Sequence, residues 1–295
     1  MNNKQVRIHT DERCLEYRGL NHPERPERVA DTLRLLREQS SLALDWAGPH
    51  PVGEETVLRA HSPYHLHEIL STTADLDPDT PWVPDLGHHA WRAVGGAVGA
   101  MRSALEGHAA FSLMRPPGHH ATRGRAMGFC YLNNVAIAAL EALAEGVERV
   151  AVFDFDVHHG NGTEAILIEN PRAATFSVHQ FPCYPHTGAD HLGSNCFNYP
   201  VAPQTPRSAY REALARALAD IARYQPRLLA VSAGFDAFVR DPIAQELLEA
   251  EDYHWLGRQI RSLGVPVFNV LEGGYSQELP QLILAYLEGL AHGAA

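Results

Sequence analysis

Six short runs that are apolar almost from end to end constrain this chain more than any other feature. They are "VRIHT" (6–10), "FSLMRP" (111–116), "RVAVFDFD" (149–156), "ATFSVH" (174–179), "RLLAVSAG" (227–234) and "VPVFNVLEG" (265–273). A strand with one face in water alternates polar and apolar residues, so runs without alternation read as parallel strands covered on both faces. Between them lie segments whose apolar residues recur every three or four positions, as at Leu214, Leu218 and Ile221; these predict helices over 26–39, 89–105, 133–144, 207–224, 253–263 and 278–290. The alternation predicts an α/β fold with a mostly parallel sheet flanked by helices on both faces. With 295 residues, 45% hydrophobic and no linker-like stretch, the expectation is a single open domain over 1–295.

Several classes are disfavoured. No apolar run reaches the roughly 18 residues of a membrane helix. The start "MNNKQVRIHT" lacks the basic and apolar segments of a secretion signal, which predicts a cytoplasmic protein. Cys14, Cys130, Cys183 and Cys196 show no CxxC spacing, against a disulfide framework or a cysteine zinc site. A net charge of −11 argues against a nucleic-acid-binding face and mildly favours cationic substrates. The segment "STTADLDPDTPWVPDLG" (71–87) reads as a long acidic surface loop.

The polar clusters fall at the carboxyl ends of the strands: "RPPGHH", "DVHHGNG", "GFDA" and "EGGY". Ligands of open α/β sheets bind there. In "DFDVH", Asp154, Asp156 and His158 occupy every second position, so a strand would point all three the same way. Buried carboxylates without compensation are costly, and a cation is the usual remedy. Asp156 and His158 suit zinc, and Asp236, after an apolar strand and a glycine, is the best third ligand; the set leaves a position open, as catalytic zinc requires. His119 and His120 suit proton transfer beside such a site, with Asp154 placed to orient one of them. Tyr275, after two glycines, suits an oxyanion donor. Together these residue types point to metal-assisted amide hydrolysis.

The ordered motifs "HPERPER", "RPPGHHA", "GFCYLNNVAIAA", "DFDVHHGNGT", "SAGFDA" and "EGGY" resemble those of the zinc-dependent histone deacetylases and their bacterial relatives, including the class II-like deacetylases and acetylpolyamine amidohydrolases. The resemblance implies the arginase/deacetylase fold, with about eight strands. It implies one catalytic Zn²⁺ on Asp156, His158 and Asp236, and His119 and His120 as the tandem histidines, with His120 the base. Asp154 resembles the partner of His119, and Asn161, the class II form, that of His120. Tyr275 matches the catalytic tyrosine. Phe129 and Tyr184 resemble the tunnel walls; Gly118, Ile243 and Asp79 fall at substrate-binding positions, Asp79 as the rim aspartate. Asp154, Ser177 and Val178 match part of a structural potassium site, and Arg28 the arginine of an inner channel. His186 stands where relatives usually have glycine, which predicts an altered tunnel mouth.

The implied reaction removes an acetyl or other acyl group from an acyl-lysine side chain. Ile243, apolar where acetylpolyamine-specific class II relatives are acidic, mildly favours that substrate over an acetylated polyamine or small amine, which stays open as the alternative. A binuclear manganese ureohydrolase needs further bridging carboxylates, but Gly160 and Phe238 stand at those positions. A non-catalytic acyl-lysine binder would lack Tyr275 or a zinc ligand, and neither is missing.

Overall fold

All six expected strands form, and two more join them. The computed structural model describes residues 5–291. Its strands are β1 (Gln5–His9), β2 (Ala43–Ala47), β3 (Ala109–Ser112), β4 (Val150–Asp154), β5 (Ala173–Gln180), β6 (Cys196–Val201), β7 (Leu228–Ala233) and β8 (Val267–Leu271). They make one eight-stranded sheet in the order β2-β1-β3-β8-β7-β4-β5-β6, with every neighbouring pair parallel. The two strands absent from the sequence reading are the edges. β2 is half exposed throughout, and β6 alternates and contains Pro200. An edge strand is covered less and tolerates proline on its open side, so the continuous apolar signature fails there.

The helices are α1 (Glu27–Glu38), α2 (Glu54–Leu58), α3 (Pro63–Ser71), α4 (Leu86–Leu105), α5 (Asn134–Ala144), α6 (Asn161–Leu167), α7 (Arg207–Tyr224), α8 (Ala250–Ser262) and α9 (Leu279–Ala291). The six helices read from periodicity recur within a few residues of the expected ends. Helices α2, α3 and α6 are too short to display a period. One core layer joins the sheet to α1, α7, α8 and α9; the other joins it to α3, α4 and α5. Strands β3, β4, β5, β7 and β8 are buried at every position, as two-sided cover requires. No helix among the described residues is long and apolar enough to cross a membrane.

The four motif-bearing loops follow β3, β8, β7 and β4, which are consecutive in the sheet. The topology thus delivers them to one place at the sheet's centre.

Behind that place lies a buried ion pair. The Arg115 side chain is fully buried, and its Nε and Nη2 donate to the Glu24 carboxylate at 2.5 and 2.7 Å. Its Nη1 donates to the Cys14 carbonyl at 2.7 Å, tying the segment before α1 to the end of β3. Burial alone would raise Glu24; the Arg115 guanidinium outweighs it and holds the carboxyl below its ordinary value. Removing one partner strands the other's charge in the core. Glu24→Gln is therefore expected to cost about 3–5 kcal/mol of stability in urea unfolding at neutral pH. With the folded pKa depressed, this stabilisation is present above the ordinary carboxylate range and lost as pH falls, so the gap between variant and parent should narrow in acid.

Candidate active site

Strand β4 stops at Asp154, so the two-residue alternation does not continue along a strand as the sequence suggested. Side-chain carboxylates take the main-chain N–H groups that a ladder would have used. Asp154 Oδ1 accepts from Asp156 N at 3.1 Å, Asp156 Oδ1 from His158 N at 2.9 Å, and Asp236 Oδ1 from Val157 N at 2.9 Å. The three side chains still converge, through a loop knotted by its own carboxylates.

Asp156, His158 and Asp236 bring their donor atoms within 4.8 Å of one another, and all three residues are buried. His158 Nδ1 lies 3.2 Å from Asp156 Oδ1 and 3.1 Å from Asp236 Oδ2. The close approach requires Gly234, because a Cβ there would collide with the Asp156 carboxylate. Burial would lower His158, but Asp156 and Asp236 raise it well above its ordinary value. Burial likewise favours a neutral Asp156, yet His119 and His158 hold it ionised. Asp236 is pushed up by burial and by Asp156. The electrostatics thus favour positive charge between these groups.

The tandem histidines differ in state. His119 Nδ1 donates to Asp154 Oδ2 at 3.1 Å. Burial lowers His119, but Asp156 and Asp154 outweigh it and bring it to about 10. His120 Nδ1 lies 2.8 Å from Asn161 Oδ1. Burial, then the neighbouring His119 and His158, hold His120 well below its ordinary value, so it is neutral. A carbonyl oxygen only accepts, so Nδ1 of His120 carries the proton and Nε2 keeps a free lone pair.

A cavity of about 240 Å³ opens onto these groups, lined by His119, His120, Asp156 and His158 at depth and by Phe129, Tyr184, Asp79, Ile243 and Tyr275 around them. Phe129 meets Tyr275 edge-on at 5.7 Å, and Tyr184 meets His120 edge-on at 5.1 Å. Gly128 and Phe129 both have positive φ, 58° and 67°. A side chain at Gly128 would run into the His120 ring, and the left-handed turn aims Phe129 into the cavity. Burial keeps the Tyr275 phenol protonated and thus a donor.

Three expectations need correction or qualification. Gly118 does not line the cavity, where Pro117 stands instead. It packs against Asn134 and Leu132, and its N–H donates to Glu272. The segment 71–87 is not all solvated: Thr80 is fully buried, its hydroxyl accepts from Phe129 N, and Asp79 Oδ1 accepts from Gly128 N at 3.2 Å. This acidic loop therefore braces the cavity wall. His186 is exposed and outside the cavity lining, with φ 66°, a conformation that glycine adopts more readily. Ser177 pairs in register with Asp154, and its hydroxyl bonds His179 at 2.8 Å.

Two buried carboxylates beside the site are not among the residues expected from the sequence. Glu272 opens "EGGY"; its signal is an acid ending an apolar strand, the same one that marks Asp154. Glu272 Oε2 accepts from Gly118 N at 2.7 Å and His119 N at 3.1 Å, fixing the histidine loop from behind. Asp241, in "RDP", is the other. Replacing Glu272 with alanine leaves two buried N–H groups without an acceptor, each costing about 1–3 kcal/mol. Glu272→Ala should therefore unfold at distinctly lower urea concentration, and Glu272→Gln, which retains an acceptor oxygen, should lose less.

Known proteins resemble this chain over nearly its whole length. A family model described as the histone deacetylase domain matches residues 22–290. A probable deacetylase of Methanothermobacter thermautotrophicus is 38% identical over 92% of this chain and 87% of its own. An acetylpolyamine amidohydrolase of Mycoplana ramosa is 33% identical over 84% of this chain and 86% of its own. Among solved structures, the HD domain of HDA15 superposes with a TM-score of 0.90 at 29% identity, covering 98% of this chain and 89% of that one. The chain belongs to the histone deacetylase family of amide-bond hydrolases.

Proposed function

We propose that this protein is a zinc-dependent amidohydrolase that removes the acetyl group from an acyl-lysine side chain. The observation that carries the reading is the meeting, in one cavity, of a buried Asp–His–Asp donor set with a neutral histidine and a protonated tyrosine. Two carboxylate oxygens and one imidazole nitrogen, in surroundings that favour positive charge, fit zinc with an open position. Bound there, zinc would supply a Lewis acid that polarises the acyl carbonyl and renders water acidic near neutrality.

The chain's own residues do the rest. His120 Nε2, its lone pair free because Asn161 holds the Nδ1 proton, accepts the proton of the attacking water. It returns that proton to the leaving amine. His119, bonded to Asp154 through Nδ1, stands against His120 and lines the same cavity. The Tyr275 phenol donates to the carbonyl oxygen as negative charge develops on it. Phe129 and Tyr184 sheathe the methylene stem and exclude water. No step depends on the potassium that the resemblance implies at Asp154, Ser177 and Val178.

A second reading, deacetylation of an acetylated polyamine, is favoured by Asp79 at the mouth. Asp79 lines the cavity with Asp77 beside it, an acidic pair that a distal ammonium would relieve, since burial and Asp77 raise the Asp79 carboxyl. Ile243, apolar on the opposite side of the choice, favours the acyl-lysine reading. Zinc-loaded protein should release acetate from an acetyl-lysine peptide faster than from N-acetylputrescine; the reverse order would move the function to polyamines with the chemistry unchanged. Asp156→Ala should lose both zinc, by elemental analysis, and turnover. Tyr275→Phe should keep its zinc and lose about 10²–10³ in kcat; full activity would remove Tyr275 from the mechanism.

A further inference from the structure

Tyr275 stands at the end of a chain segment built to rotate. Gly273 and Gly274 precede it, and Gly274 has φ 117°, outside the range of ordinary side chains. Left to themselves, two glycines would let the phenol sweep a wide arc. The structure instead pins each peptide group in turn. Glu272 N donates to Ala233 O at 2.9 Å, and Gly273 N to Asp156 Oδ2 at 2.7 Å. Arg28 Nε donates to Gly274 O at 2.7 Å, and Arg28 lies 4.8 Å over the Tyr275 ring. The last of these groups, the N–H of Tyr275 itself, donates to Asp241 Oδ2 at 2.7 Å.

Asp241 lies on the loop after β7, the loop that also carries Asp236. It is buried and touches no cavity surface. Its second oxygen, Oδ1, accepts from the N–H of Ile243 at 3.1 Å. Ile243 lines the cavity with Tyr275. One carboxylate therefore holds the main chain of a residue at the tunnel wall and that of the phenol donor, across two loops that are otherwise separate in sequence.

We propose that Asp241 is a positioning residue that sets the placement of Tyr275 and couples it to the tunnel wall at Ile243. It acts through Tyr275 and so rests on the oxyanion role given to that phenol above. Asparagine has the same shape but only one acceptor oxygen. In Asp241→Asn one of the two N–H groups faces an NH₂ group, and one loop shifts away. A misplacement of about 1 Å at a catalytic group costs on the order of 10²-fold in rate.

The test is a double-mutant cycle on zinc-loaded protein, using whichever of acetyl-lysine peptide and N-acetylputrescine the parent turns over faster. Asp241→Asn is expected to bind zinc like the parent and to lose about 10- to 100-fold in kcat. In a Tyr275→Phe background the same change should cost no more than about twofold, because the group it positions is gone. Undiminished kcat in Asp241→Asn, or losses that multiply in the double variant, would overturn the proposal. If Asp241→Asn fails to retain zinc, Asp241→Ser, which keeps one acceptor in less volume, takes its place in the cycle. Full activity of Tyr275→Phe by itself would instead sink the oxyanion role, a separate outcome.

Discussion

The structure is organised around buried negative charge. Asp154, Asp156, Asp236, Asp241 and Glu272 are all buried at or just beyond the carboxyl ends of β4, β7 and β8. In a low-dielectric interior such a cluster is tolerable only if every oxygen has a partner and the net charge is offset. Main-chain N–H groups meet the first need: each of the five accepts at least one. His119 and His158, both raised by the carboxylates despite their burial, answer part of the second. The same arrangement that makes the loops rigid makes the space between Asp156 and Asp236 attract a cation.

This explains why the sheet's centre, and not its rim, holds the site. Only strands covered on both faces carry their carboxyl ends deep enough to exclude water, and β3, β8, β7 and β4 are such strands side by side. The loops then divide the work. Those after β4, β7 and β8 spend their polar groups on one another and form the base, whereas the wall draws on Phe129, Tyr184 and Asp79 from other connections and on Ile243 from farther along the loop after β7. Under the proposed chemistry the base fixes what reaction occurs, and the wall, braced by the acidic segment 71–87, bears on which amine enters.

Legibility followed the physics of burial. The central strands were readable because two-sided cover demands continuous apolar sequence; the edge strands β2 and β6 were not, because half-exposed residues carry no such demand. Asp156, His158, Asp236, His119, His120 and Tyr275 could be named because ionisable groups ending apolar strands are anomalous on sight. Glu272 obeyed the same rule and was hidden by the tyrosine beside it. Asp241 gave no signal, since an aspartate before a proline is ordinary loop sequence, and its role exists only once two loops meet. The bracing of Phe129 by Thr80 was equally invisible, because 49 residues separate partners that only the folded chain brings together.

Two adjacent histidines are made chemically unlike by what stands behind them. His119 faces a carboxylate, Asp154, and is held protonated; His120 faces a carboxamide, Asn161, and stays neutral. Each state supports the other, because the charge on His119 is among the causes that lower His120. A carboxylate in place of Asn161 would set negative charge beside His120 and act against the burial, His119 and His158 that hold it neutral. The amide secures the ring's orientation without supplying that charge. Burial and Asp156 thus act together with one aspartate and one asparagine to separate a neutral base from a charged neighbour whose rings are only 4.0 Å apart.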